Sequence, residues 1–289
     1  MAQKSAKLRP LLAPWLRSLA EGSPQTARAY ERAVTKFLDQ TTDVTMESVA
    51  AYLGTLSELS PSSRAHYISA VRSFLKFADR AGVPVKGVPL ELLKRPKVTF
   101  TSYDRYLTLP ELRSLVEAAH ELSRCHYAAI VGLAGLGLRV EEATRASWGD
   151  LFTDPAGRIG LRVLGKGGRQ RVVKVRPDVM VALVATRREE ESPADPLLVN
   201  KEGTRAATRT IRTYVYDARD KAGLTKPVSP HFLRHTHATL AAYGGADIFT
   251  IQESMGHAKM DTSAIYLHIA RGLEQTTVDF LPEFTVAST

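Results

Sequence analysis

Apolar residues recur at helical spacing through the first third of the chain, and this pattern predicts a bundle of four short helices. Residues suited to cap the first turn of a helix precede three of these predicted helices, and proline follows the cap in two of them. Leu8 to Leu16 indicate the earliest helix, and Gly82 closes the last one. The caps and prolines of the other helices are Ser23 with Pro24, Thr45, and Ser60 with Pro61.

Prolines and basic residues interrupt this pattern over residues 84–105 and predict a linker between two domains. The charge of the linker could follow a DNA backbone, although an ordinary solvated connector explains it equally well. Thr108 and Glu111 then form a capping box, which begins a second helical domain. The predicted organisation is a helical bundle over residues 1–83, the linker, and a larger domain over residues 106–289.

Two runs in which apolar and polar residues alternate, both rich in valine, isoleucine and leucine, flank Lys166, Gly167 and Gly168. Alternation of apolar and polar positions is typical of half-buried strands. These runs therefore predict a β-hairpin with Lys166 at a mobile tip. The expected fold class is mainly α with a small β-hairpin or sheet, an α+β arrangement.

The composition of the chain agrees with this organisation. With 289 residues and 44% hydrophobic content, the chain can form two ordinary domains that each have a core. A net charge of +9 and a pI near 9.6 favour a polyanionic partner, a balance that also suits many soluble proteins. Cys125 is the single cysteine, which excludes an intramolecular disulfide and indicates a reducing cytoplasm. No secretory or membrane segment is predicted.

The stretch from Ser229 to His268 carries the residues that indicate chemistry. His231 and Arg234 are three residues apart near the start of a predicted helix, so their side chains share a face and can converge on one anion. Tyr266 follows them as a candidate nucleophile. Together these residue types indicate a site that acts on a phosphodiester.

A second arginine lies where a glycine-rich helix end passes into a new helix. Arg139 can clamp two phosphate oxygens at once, because a guanidinium presents a planar fork of donors that a lysine lacks. Glu142, three residues later, can neutralise and orient this fork.

These residues occur in the order and context found in the tyrosine recombinases, and the chain resembles the Xer and phage-integrase branch of that family over its whole length. The first helical bundle resembles the SAM-like core-binding domain of the family, and residues 105–289 resemble the catalytic domain. The residues that carry the resemblance are Arg139, Lys166, His231 with Arg234, Gly256 with His257, and Tyr266.

The resemblance implies site-specific recombination of double-stranded DNA by two successive transesterifications. Tyr266 would attack the scissile phosphate and form a 3′-phosphotyrosyl link, which a 5′-hydroxyl of a partner strand then resolves. Arg139 and Arg234 would stabilise the charge of the transition state. Because bond energy is kept in the covalent link, no nucleotide cofactor is expected, and no metal ion is expected either.

The resemblance also assigns the proton transfers and the supporting contacts. Lys166 would protonate the leaving 5′-oxygen, and His231 would assist proton movement at the nucleophile. His257 would donate a hydrogen bond to a nonbridging oxygen, and Glu142 would support the cluster of arginines and histidines.

An apolar tail follows the nucleophile, and the resemblance implies that it docks on a neighbouring protomer within a homo- or hetero-tetramer on two DNA sites. Folding of residues 275–289 back onto their own domain is the alternative. Neither arrangement is favoured by the sequence.

Other basic residues have simpler expected roles. His231 and His235 are four residues apart, as helical zinc ligands are, but a metalloprotease motif needs glutamate where Phe232 stands. His235, His237 and His268 are expected to pack or cap helices. Surface solvation is expected for four arginines, which are Arg145, Arg169, Arg171 and Arg205.

Two other classes of function use part of the same residue set. A type IB topoisomerase would relax supercoils without strand exchange, and the helical first domain argues against it. A DNA-binding regulator descended from a recombinase would cut nothing, and the intact catalytic set argues against it.

Overall fold

The computed structural model describes residues 8–41, 44–83, 85, 93–94, 96, 105–165, 168–187, 192–256, 263–264 and 266. The chain divides into two compact units, Met1–Phe100 and Thr101–Thr289. The structure confirms the predicted fold class, which is mainly helical with one small sheet. The finer division at residues 83 and 105 stays a prediction.

The first unit is a helical bundle whose helices begin where the capping residues predict. Ser23 accepts a hydrogen bond from the backbone nitrogen of Thr26 at 3.3 Å, and Thr45 and Ser60 cap their helices in the same way. Gly82 follows the last helix with a φ of 79°, which glycine adopts without strain. After a 3₁₀ turn at Arg9–Leu11, the helices are α1 (Leu12–Gly22), α2 (Pro24–Gln40), α3 (Met46–Thr55) and α4 (Pro61–Arg80).

Aromatic side chains fill the core of this bundle. Trp15 of α1 meets Phe74 of α4 edge-on with ring centroids 5.2 Å apart, and Phe37 of α2 meets Tyr52 of α3 at 5.0 Å. All four rings are almost fully buried. The bundle therefore has a core of its own.

The second unit consists of helices around a three-stranded antiparallel sheet in the order β1-β2-β3. The predicted hairpin is confirmed as β2 and β3, which pair from Gly160 with Lys174 to Leu164 with Gln170. The elements are α5 (Leu109–Leu122), α6 (Arg124–Leu136), α7 (Val140–Arg145), β1 (Leu151–Thr153), β2 (Ile159–Leu164), β3 (Gln170–Lys174), α8 (Pro177–Val184), α9 (Thr208–Lys221), α10 (Pro230–Tyr243) and α11 (Ile248–Met255).

Helix α6 is the central element of the second unit and packs against α5, α8, α9 and α10. Ile130, Leu133 and Leu136 of this helix are buried in a core that continues to Leu161 and Val173 of the sheet. Because α6 is packed by several neighbours, its C-terminal end is a fixed point from which the next residues project. None of the described helices is long and apolar enough to cross a bilayer.

Candidate active site

The site begins where α6 ends. Gly137 caps this helix in the left-handed conformation, with a φ of 60°, and Arg139 is the N-cap residue of α7. Glu142, in the first turn of α7, accepts hydrogen bonds from the backbone nitrogen of Arg139 at 2.9 Å and from its Nη1 at 2.8 Å. The predicted contact between these two side chains is thus present, and the helix start fixes both of them.

A second guanidinium binds the same carboxylate. Arg171 of β3 donates from Nη1 and Nη2 to the two oxygens of Glu142 at 2.9 and 2.7 Å, and from Nε to the carbonyl oxygen of Ser254 at 2.9 Å. Its side chain is only 8% exposed, so the expectation of a solvated Arg171 is wrong. The alternation along β3 indicates that this position is buried, because Arg171 pairs with Val163 and lies on the same face as the buried Val173.

The charges around Glu142 keep it ionised. Burial alone would raise the pKa of this carboxyl, but the hydrogen bonds and charges of Arg171 and Arg139 outweigh burial and lower the pKa to about 2. Glu142 is therefore a carboxylate throughout the physiological range, and it offsets part of the positive charge that is concentrated here.

Arg234 of α10 is the most buried arginine of this cluster, at 2% exposure. Its Nη1 donates to the carbonyl oxygen of Gly137 at 2.5 Å and lies 3.8 Å from Glu142, and its Nη2 donates to the carbonyl oxygen of Met255. Desolvation and the charge of Arg139 lower its pKa to about 10, which leaves it protonated at neutral pH. A guanidinium has five N–H donors, so these carbonyls orient the fork without using all of its donors.

Tyr266 is held at the same place by an apolar cluster. It is 3% exposed and packs with Ala238 and Ala242 of α10 and with Ile251 and Met255 of α11. Burial raises the pKa of its hydroxyl to about 12, although the positive charges of Arg234 and Arg139 act in the opposite direction. The hydroxyl is therefore close enough to both arginines to sense their charge.

The hydroxyl of Tyr266 contacts a histidine to which the sequence analysis gave no chemical role. Its oxygen lies 2.7 Å from Nδ1 of His235, and Nε2 of His235 lies 2.9 Å from Nε2 of His231. The expectation that His235 only packs or caps the helix is corrected by these contacts. The available signal was spacing, because His231 and His235 are four residues apart and share a helix face.

The remaining basic candidates behave more simply. Nδ1 of His237 lies 2.8 Å from the carbonyl oxygen of Ala134, as expected for a packing role. Arg205 is exposed, but its guanidinium donates to carbonyl oxygens at the C-terminal end of α7, so it is not only solvated. Arg145 and Arg169 are exposed as expected. Among the described residues, no group of three or more His, Cys, Asp or Glu side chains could hold a metal ion.

Four predicted features fall outside the described residues, namely Lys166, His257, His268 and the tail over residues 275–289. The strands on either side of Lys166 are paired, and Gly256, directly before His257, accepts a hydrogen bond from Nη2 of Arg139 at 3.4 Å. The catalytic assignments of Lys166 and His257 stay predictions.

Comparison with protein families gives two matches that together span most of the chain. The profile of the phage integrase family matches residues 105–272, and that of the phage integrase N-terminal SAM-like domain matches residues 13–82. Tyrosine recombinase XerC of Myxococcus xanthus is 32% identical over 245 residues, which cover 78% of this chain and 78% of that protein. Tyrosine recombinase XerD of Bifidobacterium longum is 30% identical over 272 residues, which cover 85% and 87%.

Solved structures give the same fold. The XerA recombinase is 27% identical with a TM-score of 0.52, and the match covers 94% of this chain and 99% of that one. A lambda integrase dimer bound to a COC′ core site is 19% identical with a TM-score of 0.72, and the match covers 88% and 96%. At 19% identity, the likeness to lambda integrase supports the fold alone.

Proposed function

Because the chain belongs to the phage integrase family and is a site-specific tyrosine recombinase, we propose that it cleaves and rejoins double-stranded DNA through a covalent bond from Tyr266 to a 3′-phosphate. The observation that carries this proposal is the burial of Tyr266 against Met255, whose carbonyl oxygen accepts a hydrogen bond from Arg234. The relatives are named as recombinases, so neither the topoisomerase nor the regulator is favoured.

The arginine cluster suits the charge of the reaction. When the tyrosyl oxygen attacks phosphorus, negative charge grows on the nonbridging oxygens, and positioned donors in a partly dehydrated site stabilise it. The side chain of Arg139 is 37% exposed, and Glu142 holds its guanidinium in place. Backbone carbonyl oxygens of Gly137 and Met255 accept hydrogen bonds from Arg234 and hold its guanidinium in position. The donors are therefore oriented before DNA arrives.

The protons require separate groups. The bond from phosphorus to the 5′-oxygen breaks as the tyrosyl bond forms, and we assign the proton that the 5′-oxygen takes to Lys166. His257 donates to a nonbridging oxygen in this scheme, and His231 assists proton movement at Tyr266. These assignments rest on the family resemblance of the motifs. The scheme needs no metal ion and no nucleotide cofactor, since the phosphotyrosyl bond conserves the energy of the phosphodiester.

The assembly that we propose is a homo- or hetero-tetramer on two DNA sites, with the tail of residues 275–289 docked on a neighbouring protomer. Support comes from similar solved structures, which include a lambda integrase tetramer bound to a Holliday junction. The Xer-like branch is supported by the relatives named XerC and XerD. We place the enzyme in the cytoplasm, associated with the nucleoid when it is bound to DNA.

The test has two steps. First, genomic DNA bound to a Tyr266→Phe protein is recovered and sequenced, which identifies a binding site without cleaving it. Second, the wild-type protein is incubated with a nicked copy of that site, from which the cleaved fragment diffuses away. We expect a covalent protein–DNA adduct whose attached peptide contains Tyr266, and no adduct with Tyr266→Phe. An adduct that persists in the Tyr266→Phe protein contradicts the proposal.

A further inference from the structure

The deprotonation of Tyr266 needs a partner, because its burial works against the reactive form. With a pKa raised to about 12, only roughly one Tyr266 hydroxyl in 10⁵ is ionised at pH 7. The charges of Arg139 and Arg234 already act on this hydroxyl and do not restore an ordinary pKa. A group that accepts the proton during attack would remove this barrier.

A group in contact with the reacting oxygen is His235. Its Nδ1 lies 2.7 Å from the hydroxyl oxygen of Tyr266, which is within the range of a direct proton transfer. Helix α10 fixes this imidazole, because the helix also carries the buried Arg234 and the apolar residues Ala238 and Ala242 against which Tyr266 packs. The same helix thus positions the proton acceptor and the nucleophile.

The second nitrogen of this imidazole leads to solvent. Nε2 of His235 lies 2.9 Å from Nε2 of His231, and His231 is exposed. If Nδ1 accepts the hydrogen of Tyr266, a neutral His235 carries its own hydrogen on Nε2 and donates it to His231. The three groups then form one chain of hydrogen bonds from the nucleophile to the surface.

We propose that His235 is a catalytic residue that takes the proton of Tyr266, and that His231 receives a proton from His235 in turn. This inference rests on the proposed role of Tyr266 and refines the role given to His231. As the bond from the tyrosyl oxygen to phosphorus forms, the O–H bond breaks and its proton moves to Nδ1 of His235, while the Nε2 proton passes to His231. In rejoining, the protons return along the same path and the tyrosyl oxygen leaves protonated.

The electrostatic surroundings keep His231 neutral before the reaction, and they also make it release to solvent a proton that it has received. Desolvation and the positive charges of Arg234, Arg139 and Arg105 lower the pKa of His231, whereas Glu141 acts in the opposite sense. His231 is therefore mainly neutral at pH 7 and can accept a proton. Arg234 and Arg139 also face Tyr266 and stabilise its anionic form.

The decisive variant is His235→Asn, since an asparagine oxygen can accept a hydrogen bond near the place of Nδ1 but cannot take up a proton at neutral pH. The probe is the nicked DNA site recovered with the Tyr266→Phe protein, and the readout is the rate of adduct formation between pH 6 and pH 10. We expect His235→Asn to bind this DNA like the wild type and to cleave about 10²-fold or more slowly at pH 7. The rate of adduct formation by His235→Asn should keep rising as the pH increases, whereas the wild-type rate should level off.

The controls separate this inference from the proposed function. His120→Asn removes an exposed imidazole of α5 that contacts Tyr127, and it should cleave at the wild-type rate. His235→Asn that cleaves within about threefold of the wild type, with the same pH profile, overturns the role of His235 and leaves Tyr266 as nucleophile. A wild-type protein that forms no adduct at Tyr266 overturns the proposed function itself.

Two further variants complete the test. If His235→Asn does not fold, as judged by its melting curve, His235→Gln takes its place with the same expected loss and the same overturning result. His231→Asn combined with His235→Asn tests the relay, because groups that act as one unit give losses that do not multiply. We expect the double variant to cleave about as slowly as His235→Asn alone. Losses that multiply overturn the relay to His231.

Discussion

The guanidinium of Arg171 and the carboxylate of Glu142 form a two-pronged ion pair, with hydrogen bonds of 2.9 and 2.7 Å. This pair joins β3 to the first turn of α7, whose N-cap residue is Arg139. The strand that leaves the hairpin tip is thereby fixed to the arginine that we expect to hold the phosphate. Lys166, the proposed general acid, precedes this strand in the sequence by a few residues.

Arg171→Lys should weaken this connection while keeping the charge. A lysine cannot donate to both oxygens of Glu142 and also to the carbonyl of Ser254, so we expect a loss of about 1.5–3 kcal/mol in the free energy of unfolding. Cleavage should slow by about tenfold or more, with DNA binding little changed, as urea titration and adduct rates would show. Arg169→Lys changes an exposed arginine of the same hairpin and is the matched control. Equal effects of the two variants would contradict this role.

Glu142 should contribute to stability in a defined range of acidic pH. Its pKa is lowered from 4.5 to about 2 in the folded state, so its contribution is complete above pH 4.5 and is lost as the pH falls towards 2. The difference corresponds to about 3 kcal/mol. Glu142→Gln should lack this acid-sensitive part and be less stable at pH 7, because three arginine side chains then lose a buried counter-charge. Urea titrations at pH 7, 4.5 and 3 measure both effects.

The control for this prediction is Glu121→Gln. Glu121 pairs with Lys221 at the surface, where solvent screens the charges, and both side chains are well exposed. This variant should keep the acid-dependent loss of the wild type almost unchanged. If Glu142→Gln loses stability between pH 4.5 and 3 as steeply as the wild type does, Glu142 is not the titrating group.

The difference between Lys166 and Arg234 should appear when the leaving group is changed. Replacing the bridging 5′-oxygen with sulfur gives a leaving group that hardly needs a proton, so Lys166→Ala should recover cleavage of this substrate. Arg234→Ala should remain slow by about 10²- to 10³-fold, because it removes charge stabilisation. Rates of adduct formation on the two substrates give the comparison. Rescue of both variants, or of neither, would show that the roles are assigned wrongly.

Cleavage should persist in excess chelator. Arg139 and Arg234 supply the positive charge at the phosphate in our scheme, and a divalent ion has no assigned step. Adduct formation measured with and without EDTA, and again with added Mg²⁺, should give the same rate within about twofold. A strict requirement for Mg²⁺ in the cleavage step would count against the scheme.

The sequence predicted best what short-range chemistry determines. Caps such as Thr108, the helix start at Arg139 and its contact with Glu142 depend on residues three positions apart. The paired strands of the hairpin also followed from local alternation. The third strand, β1, was missed because Leu151–Thr153 is too short to show a period.

The contacts that were missed join residues distant in sequence. Arg171 reaches Glu142 across 29 positions, and His235 reaches Tyr266 across 31. Arginine occurs both exposed and buried, and here only the packing of β3 against α11 and the contact with Glu142 bury the side chain of Arg171. The contact of His235 was missed for a related reason. The fold brings His235 to Tyr266, and no sequence motif predicts this contact.

Gly137 should be intolerant of a side chain for two reasons that can be separated. Its φ of 60° strains any residue with a Cβ, and a Cβ here would lie 2.7 Å from the ring of His237. Gly223 has a similar φ of 65° with nothing within 4 Å, so Gly223→Ala reports the backbone strain alone, about 1 kcal/mol. Gly137→Ala should cost about 1–3 kcal/mol more, because the ring must move. It should also slow cleavage, since Arg234 donates to the carbonyl of Gly137 at 2.5 Å. Urea titration and adduct rates measure both effects, and equal losses in the two variants would remove the packing argument.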